Sequence, residues 1–129
     1  MRAVISRATG ACALDDIALR PGGKEWVAFA RRPGRFGVAV PMDRREPVWF
    51  SSKPDRHFFG HGVFSADGRL LYTTENDYER GRGVIGVRDA SAGYKQIGEH
   101  AGYGVGPHDL ALLSDGRTAV WLTCLQRAG

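Results

Sequence analysis

The stretch that decides the fold is HFFGHGVFSADGRLLYTTEND, residues 57–77. Its centre, SADGR at residues 65–69, predicts a tight hairpin turn, because aspartate bonds its own backbone and glycine accepts a positive φ. The flanking segments, GVF at 62–64 and LLYTT at 70–74, have the apolar, aromatic and β-branched side chains that suit a pleated sheet. The stretch therefore predicts a buried β-hairpin, followed by a polar loop over residues 75–82.

Two further segments share this pattern of an apolar run, a glycine turn and a second apolar run. Asp115 holds in residues 110–121 the place that Asp67 has in the hairpin, and Gly22 holds it in residues 17–29. The spacings are 45 residues from Gly22 to Asp67 and 48 from Asp67 to Asp115. A period of roughly 40–50 residues built from short strands and glycine turns is typical of propeller blades.

The predicted fold is all-β: a partial β-propeller of about two and a half four-stranded antiparallel blades. Blade one covers about 14–57, blade two about 60–105, and an incomplete blade three about 107–129. Propellers protect their sheet edges by closing a ring, so an open last strand over 118–123 predicts a fragment. The alternative is that missing blades supplied by a partner, or self-association, cover these sheet edges. The alternative fold is a small complete sandwich or open barrel.

Composition narrows the classes of function. The 129 residues carry a formal charge of +4, but the basic residues are scattered, which argues against nucleic-acid binding. No apolar run is long enough for a membrane span. Cys12 and Cys124 have no CxxC partner, so two buried thiols are expected, with a disulfide as the alternative. Residues 1–13 lack a secretory signal, which predicts a cytoplasmic protein if it is made as given.

Three segments resemble one family: residues 56–90 (RHFFGHGVFSADGRLLYTTENDYERGRGVIGVRDA), 102–118 (GYGVGPHDLALLSDGRT) and 26–40 (WVAFARRPGRFGVAV). This is a bacterial family of seven-bladed, YVTN- or WD-repeat-like periplasmic propellers of unknown function, often encoded near imelysin-like iron-uptake proteins. Asp109 stands where the family usually has glutamate. Residues 121–129 do not resemble it, and the two explanations are a frame-shifted or a mis-assembled tail.

The resemblance implies a non-catalytic ligand-binding or scaffold propeller of an exported metal-uptake or redox system, with a protein partner there. The alternative is a metal-dependent propeller enzyme or metal carrier that uses histidines and carboxylates at the mouth of the central channel. No catalytic residue is predicted, because Ser65 and Ser114 lack the G-x-S-x-G elbow of hydrolases. The cofactor is unknown, with a transition-metal ion as the candidate.

The candidate ligand residues follow from the repeat alignment. His61 and the pair His108-Asp109 enter the innermost strands of successive blades, and Glu75 and Asp77 lie in a loop opening on the same face. Imidazoles and carboxylates suit a borderline metal, so these five residues form the candidate metal or ligand site. The alternative is that each histidine bonds the backbone of the neighbouring blade and joins the blades.

Arg31 and Arg32, in the equivalent loop of the first blade, are the anion candidates. The alternative is that both arginines are solvated loop residues.

Overall fold

The computed structural model describes residues 14–30, 34–101, 107–116 and 118–123; the side chains at 14–15, 107–109 and 121–123 are outside that description. The described residues form ten strands in three antiparallel sheets, without a helix. The strands are β1 (Leu14–Leu19), β2 (Glu25–Ala30), β3 (Phe36–Pro41), β4 (Val48–Ser51), β5 (Arg56–Phe64), β6 (Leu70–Asp77), β7 (Arg82–Asp89), β8 (Lys95–Ala101), β9 (Pro107–Leu112) and β10 (Ala119–Thr123).

The first and second sheets are meanders, in which each strand pairs with the next one along the chain. Their orders are β1-β2-β3-β4 and β5-β6-β7-β8, and β9 pairs with β10 in the third sheet. The first strands of the three sheets lie side by side, β1 against β5 and β5 against β9. Successive sheets therefore fan out from a row of first strands, as in a propeller. The predicted all-β, partial-propeller fold is confirmed.

Three turns repeat the same backbone hydrogen bonds. In each turn, the N–H of the first residue donates to the carbonyl of the residue five positions later. The N–H of a glycine three positions after the first residue donates back to the carbonyl of that first residue. The first bonds are Arg20 to Glu25 at 2.9 Å, Ser65 to Leu70 at 2.9 Å and Leu113 to Thr118 at 2.8 Å. The returning glycines are Gly23, Gly68 and Gly116, with φ of 69°, 73° and 68°. The predicted equivalence of Gly22, Asp67 and Asp115 is thus confirmed.

The equivalent turns also touch in succession. Arg20 Nε donates to the carbonyl of Gly68 at 2.8 Å, which joins the first turn to the second. A Cβ built at Gly116 would lie 3.2 Å from the Cβ of Ala66, which brings the third turn against the second. Repeat order along the chain is therefore also spatial order at this end of the sheets.

The main core lies between the first and second sheets. Phe29 and Phe50 of the first sheet meet Phe58 of the second at ring distances of 5.7 and 6.0 Å, and Phe50 stacks on Tyr94 at 5.1 Å. A Cβ at Gly62 would lie 2.5 Å from the Phe29 ring, so this glycine lets the sheets approach closely. Burial of these aromatic rings contributes to the apolar packing that holds the two sheets together.

The opposite face of the first sheet carries two apolar rows. Ile17, Ala28, Val38 and Trp49 are successive cross-strand partners. Ile17 is 61% exposed and Trp49 48%. The second row consists of Leu19, Trp26 and Val40. An apolar sheet face with large exposed side chains is a surface that packs against another element.

Two predicted strand limits were wrong. β5 begins at Arg56 rather than Gly62, and β6 continues to Asp77, so Glu75 and Asp77 lie within a strand and not in a loop. The boundary expected near residues 57–60 falls inside β5. The register between β5 and β6 shifts between Phe58 and Gly62, which lets the strand continue past an irregularity. Polar residues remain in the strands because arginines pair with them.

Candidate functional site

His61 and Asp16 form a contact between the first two sheets. His61 Nδ1 lies 2.8 Å from Oδ2 of Asp16, which is in β1. Both side chains retain some exposure, 22% for His61 and 41% for Asp16. The histidine expected to enter an innermost strand therefore meets an acidic side chain of the neighbouring sheet, whereas the alternative interpretation named backbone groups there.

Glu75 lies buried on the face of the second sheet that packs against the first. Its Oε2 accepts a hydrogen bond of 2.6 Å from Thr73 Oγ1 and lies 3.7 Å from Nη2 of Arg88. Gly86 faces this carboxylate, and a Cβ there would lie only 2.0 Å from Glu75 Oε2. The missing side chain at Gly86 thus provides the space that the buried carboxylate occupies.

Arg88 is a guanidinium held between aromatic rings. Its Cζ lies 5.2 Å from the Phe50 centroid and 5.1 Å from the Phe58 centroid, and Nη1 donates to the carbonyl of Tyr94 at 3.1 Å. Its Nε and Nη2, and Oε1 of Glu75, are buried without hydrogen-bond partners among the described residues. Burial lowers the pKa of Arg88 and raises that of Glu75, which the charge of Arg88 partly offsets.

Asp77 forms ion pairs with three arginines at the other end of the same face of the second sheet. Its Oδ2 lies 3.3 Å from Arg56 Nη1, 3.0 Å from Arg80 Nη1 and 3.3 Å from Arg82 Nε. Burial acts to raise the pKa of Asp77. The hydrogen bonds from Arg80, the charge of Arg56 and the bond from Arg82 outweigh burial and hold this pKa below its ordinary value.

Arg56 also pairs with two carboxylates other than Asp77. It bonds Asp55 at 2.6 Å and Glu99 at 3.2 Å, and Lys53 lies 3.6 Å from Glu99. Sequence analysis did not identify Arg56 or Arg88 as site residues. One feature of the sequence could have indicated the buried carboxylates. Every second residue of a strand lies on the same face, which places together Leu71, Thr73, Glu75 and Asp77.

The predicted site residues are therefore brought into different contacts. His61 meets Asp16, while Glu75 and Asp77 each meet arginines. Within the described side chains, no three His, Cys, Asp or Glu residues form a group that could hold a metal ion.

Several predicted residues fall outside this description. His108 and Asp109 lie in β9, but their side chains are outside the described part, as are Arg31, Arg32, Cys12 and Cys124 altogether.

The family of the chain follows from a comparison with protein-family models. The model described as "Protein of unknown function (DUF1513)" matches residues 13–121. The chain belongs to this family. The DUF1513 match begins one residue before β1 and ends within β10, so it spans all three sheets. A comparison with curated proteins gives no match.

Solved structures show the fold. In all, 43 chains match, among them a WD40-like propeller chain from "Crystal Structure of Mitotic Checkpoint Complex". The identity is 13% and the TM-score 0.59, over 76% of this chain and 28% of that chain. The DUF1513 chain thus spans little more than a quarter of that chain's length. No described segment forms a helix that could span a membrane.

Proposed function

We propose that this DUF1513 chain is part of a non-catalytic scaffold or ligand-binding propeller. The supporting observation is that its buried charged groups are used within the fold. Asp77 is shared by three arginines, and Glu75 is held by Thr73 beside Arg88. Carboxylates that pair with arginines in this way hold neighbouring strands in position.

The setting we propose is an exported metal-uptake or redox system, in the periplasm, where a protein partner binds the propeller. The support is the resemblance of residues 56–90 and 102–118 to periplasmic propellers encoded near iron-uptake proteins. Fractionation of a bacterium that carries the gene tests this setting. Recovery of the protein with the periplasmic contents is expected, and recovery only with cytoplasmic markers would contradict it.

We further propose that the apolar rows on the first sheet are covered by the same face of a second copy of this chain. Ile17 and Leu19 on β1 are about 60% exposed, whereas Val38 and Val40 in the same two rows on β3 are buried. A four-stranded face of this composition is the counterpart of the one that already packs between the sheets. Sedimentation of wild type and Ile17→Lys tests it: self-association is expected in the wild type and its loss in the variant.

The role of the histidines separates the scaffold from the alternative metal enzyme or carrier. We expect His61→Ala to lower the melting temperature by about 2–4 °C, since it removes one contact between sheets. We expect the same direction for His108→Ala. His100, exposed on β8, provides the control His100→Ala. Titration with Zn²⁺ and Fe²⁺ should give weak affinities that are equal in all four proteins.

One result would support the alternative function in place of the scaffold. Tight, stoichiometric metal binding that is lost in His61→Ala or His108→Ala, with the melting temperature unchanged, would replace the scaffold with the metal carrier or enzyme.

A further inference from the structure

Three stacked rings lie where β5 begins and β6 ends. The His57 ring lies 5.6 Å from that of Tyr78, almost parallel at 10°, and 5.7 Å from that of Phe59 at 26°. Tyr78 is the most exposed of these rings, at 45%. An exposed ring that is backed by two others keeps its orientation, and so presents a fixed flat surface to solvent.

The hydroxyl of Tyr78 is also fixed. It donates to the carbonyl of Pro54 at 2.9 Å and accepts from Arg35 Nη2 at 2.6 Å. Arg35 also donates to the same Pro54 carbonyl, and its Cζ lies 5.9 Å from the Tyr78 centroid. The loop before β3, the β4–β5 connection and the β6–β7 loop therefore meet at one tyrosine.

Two exposed arginines, Arg80 in the β6–β7 loop and Arg82 at the start of β7, are oriented by a buried carboxylate. Arg80 and Arg82 have 60% and 45% of their side chains exposed, yet each bonds the buried Asp77. Arg80 donates its hydrogen bonds to Asp55 and Asp77 from Nη1, and Arg82 donates its hydrogen bond to Asp77 from Nε. A guanidinium has five N–H donors, so both retain donors for a further carboxylate. The buried aspartate thus orders these guanidiniums before any ligand arrives.

The charge balance selects the kind of ligand. Five cations meet four carboxylates in this region, which leaves a net charge of only +1. The cations are Arg35, Lys53, Arg56, Arg80 and Arg82, and the carboxylates are Asp55, Asp77, Glu79 and Glu99. A nucleic-acid backbone needs several phosphate contacts, more than a region with a net charge of +1 provides. One or two carboxylates beside an apolar side chain suit the surface better.

We propose that Arg35, Tyr78, Arg80 and Arg82, the Tyr78 surface, bind an acidic segment of a protein partner. Carboxylates of that segment accept hydrogen bonds from Arg80 and Arg82, and a flat or apolar side chain packs on Tyr78. Tyrosine and arginine dominate the binding energy of many protein interfaces, and here both are held in place in advance. This inference rests on the proposed scaffold function and names the chemistry of its partner.

The test uses a fluorescein-labelled peptide with glutamates flanking one phenylalanine, measured by anisotropy. Its control is the same peptide with glutamines. Arg80→Gln combined with Arg82→Gln, and separately Tyr78→Ala, are each expected to weaken binding about tenfold. Arg69→Gln, which removes one exposed charge at the opposite turn, is the matched control and should bind as wild type does. Binding should also weaken as salt is added.

Several outcomes would overturn this inference: equal affinity for the glutamine peptide, an equal loss in Arg69→Gln, tighter binding of single-stranded DNA, or no binding at all. Circular dichroism of each variant confirms that the loss does not come from unfolding. None of these outcomes bears on the scaffold function, which the metal titrations of the histidine variants test separately.

Discussion

Gly86 is a residue whose missing side chain decides a buried site. It is the direct cross-strand partner of Thr73, and a Cβ there would lie 2.7 Å from Thr73 Oγ1 and 2.0 Å from Glu75 Oε2. We expect Gly86→Ala to lower the free energy of unfolding by about 1–3 kcal/mol, because Glu75 must leave Thr73. Gly98→Ala, with no atom within 4 Å of the new Cβ, is the control in urea denaturation. Equal stability of the two variants would contradict this.

Arg88 and Glu75 should behave as one unit. Arg88→Met leaves the Glu75 carboxylate buried without its cation, so we expect a loss of about 3–5 kcal/mol. Arg88→Met combined with Glu75→Leu removes both charges and should recover most of that loss. A double-mutant cycle measured by urea denaturation gives the coupling. Additive losses would mean that the two charges do not interact.

Asp77 makes stability depend on pH with a defined sign. Its pKa is lower in the folded chain than in the unfolded one, so its contribution is complete above the unfolded value of about 3.9. That contribution is lost as pH falls through the folded value. We therefore expect the stability gap between wild type and Asp77→Asn to narrow as denaturation curves are taken from neutral pH to acid. A gap that is constant with pH would contradict this.

At the scale of elements, the three repeated turns make a joint prediction. Gly23, Gly68 and Gly116 have matching positive φ and matching hydrogen bonds, so alanine should cost a similar amount at each, about 1–2 kcal/mol. Gly98→Ala again serves as the control, because Gly98 has no positive φ. A cost at only one of the three turns, measured by thermal unfolding, would mean that they are not equivalent.

The turns and strands were predictable because their signals are local. An Asp-Gly pair between apolar runs favours a hairpin, and the turn predicted over residues 65–69 is observed between β5 and β6. The end of β6 was not predictable from local polarity. Glu75 and Asp77 stay in the strand because Arg88 and Arg56 pair with them, and those arginines lie in other strands. The Tyr78 surface likewise depends on three loops that are distant in sequence.

At the scale of the whole molecule, the central claim is that successive sheets fan from a common row of first strands. Adjacent repeats must then meet through equivalent parts. The contacts from Arg20 to Gly68 and from Ala66 to the position of Gly116 are both of this kind. In a sandwich or a closed barrel, contacts between each of these turns and the next one along the chain are not expected.

The most direct measurement is a disulfide between the second and third turns. In a protein with Cys12→Ser and Cys124→Ser, we introduce Ala66→Cys and Gly116→Cys, whose Cβ atoms lie 3.2 Å apart, close to the roughly 3.8 Å of disulfides. Mild oxidation should form an intramolecular bond, seen as a mass decrease and faster migration without reductant, whereas Ala66→Cys alone should form none. Thiols that stay free in the double variant, or that bond only between molecules, would contradict the fan of sheets.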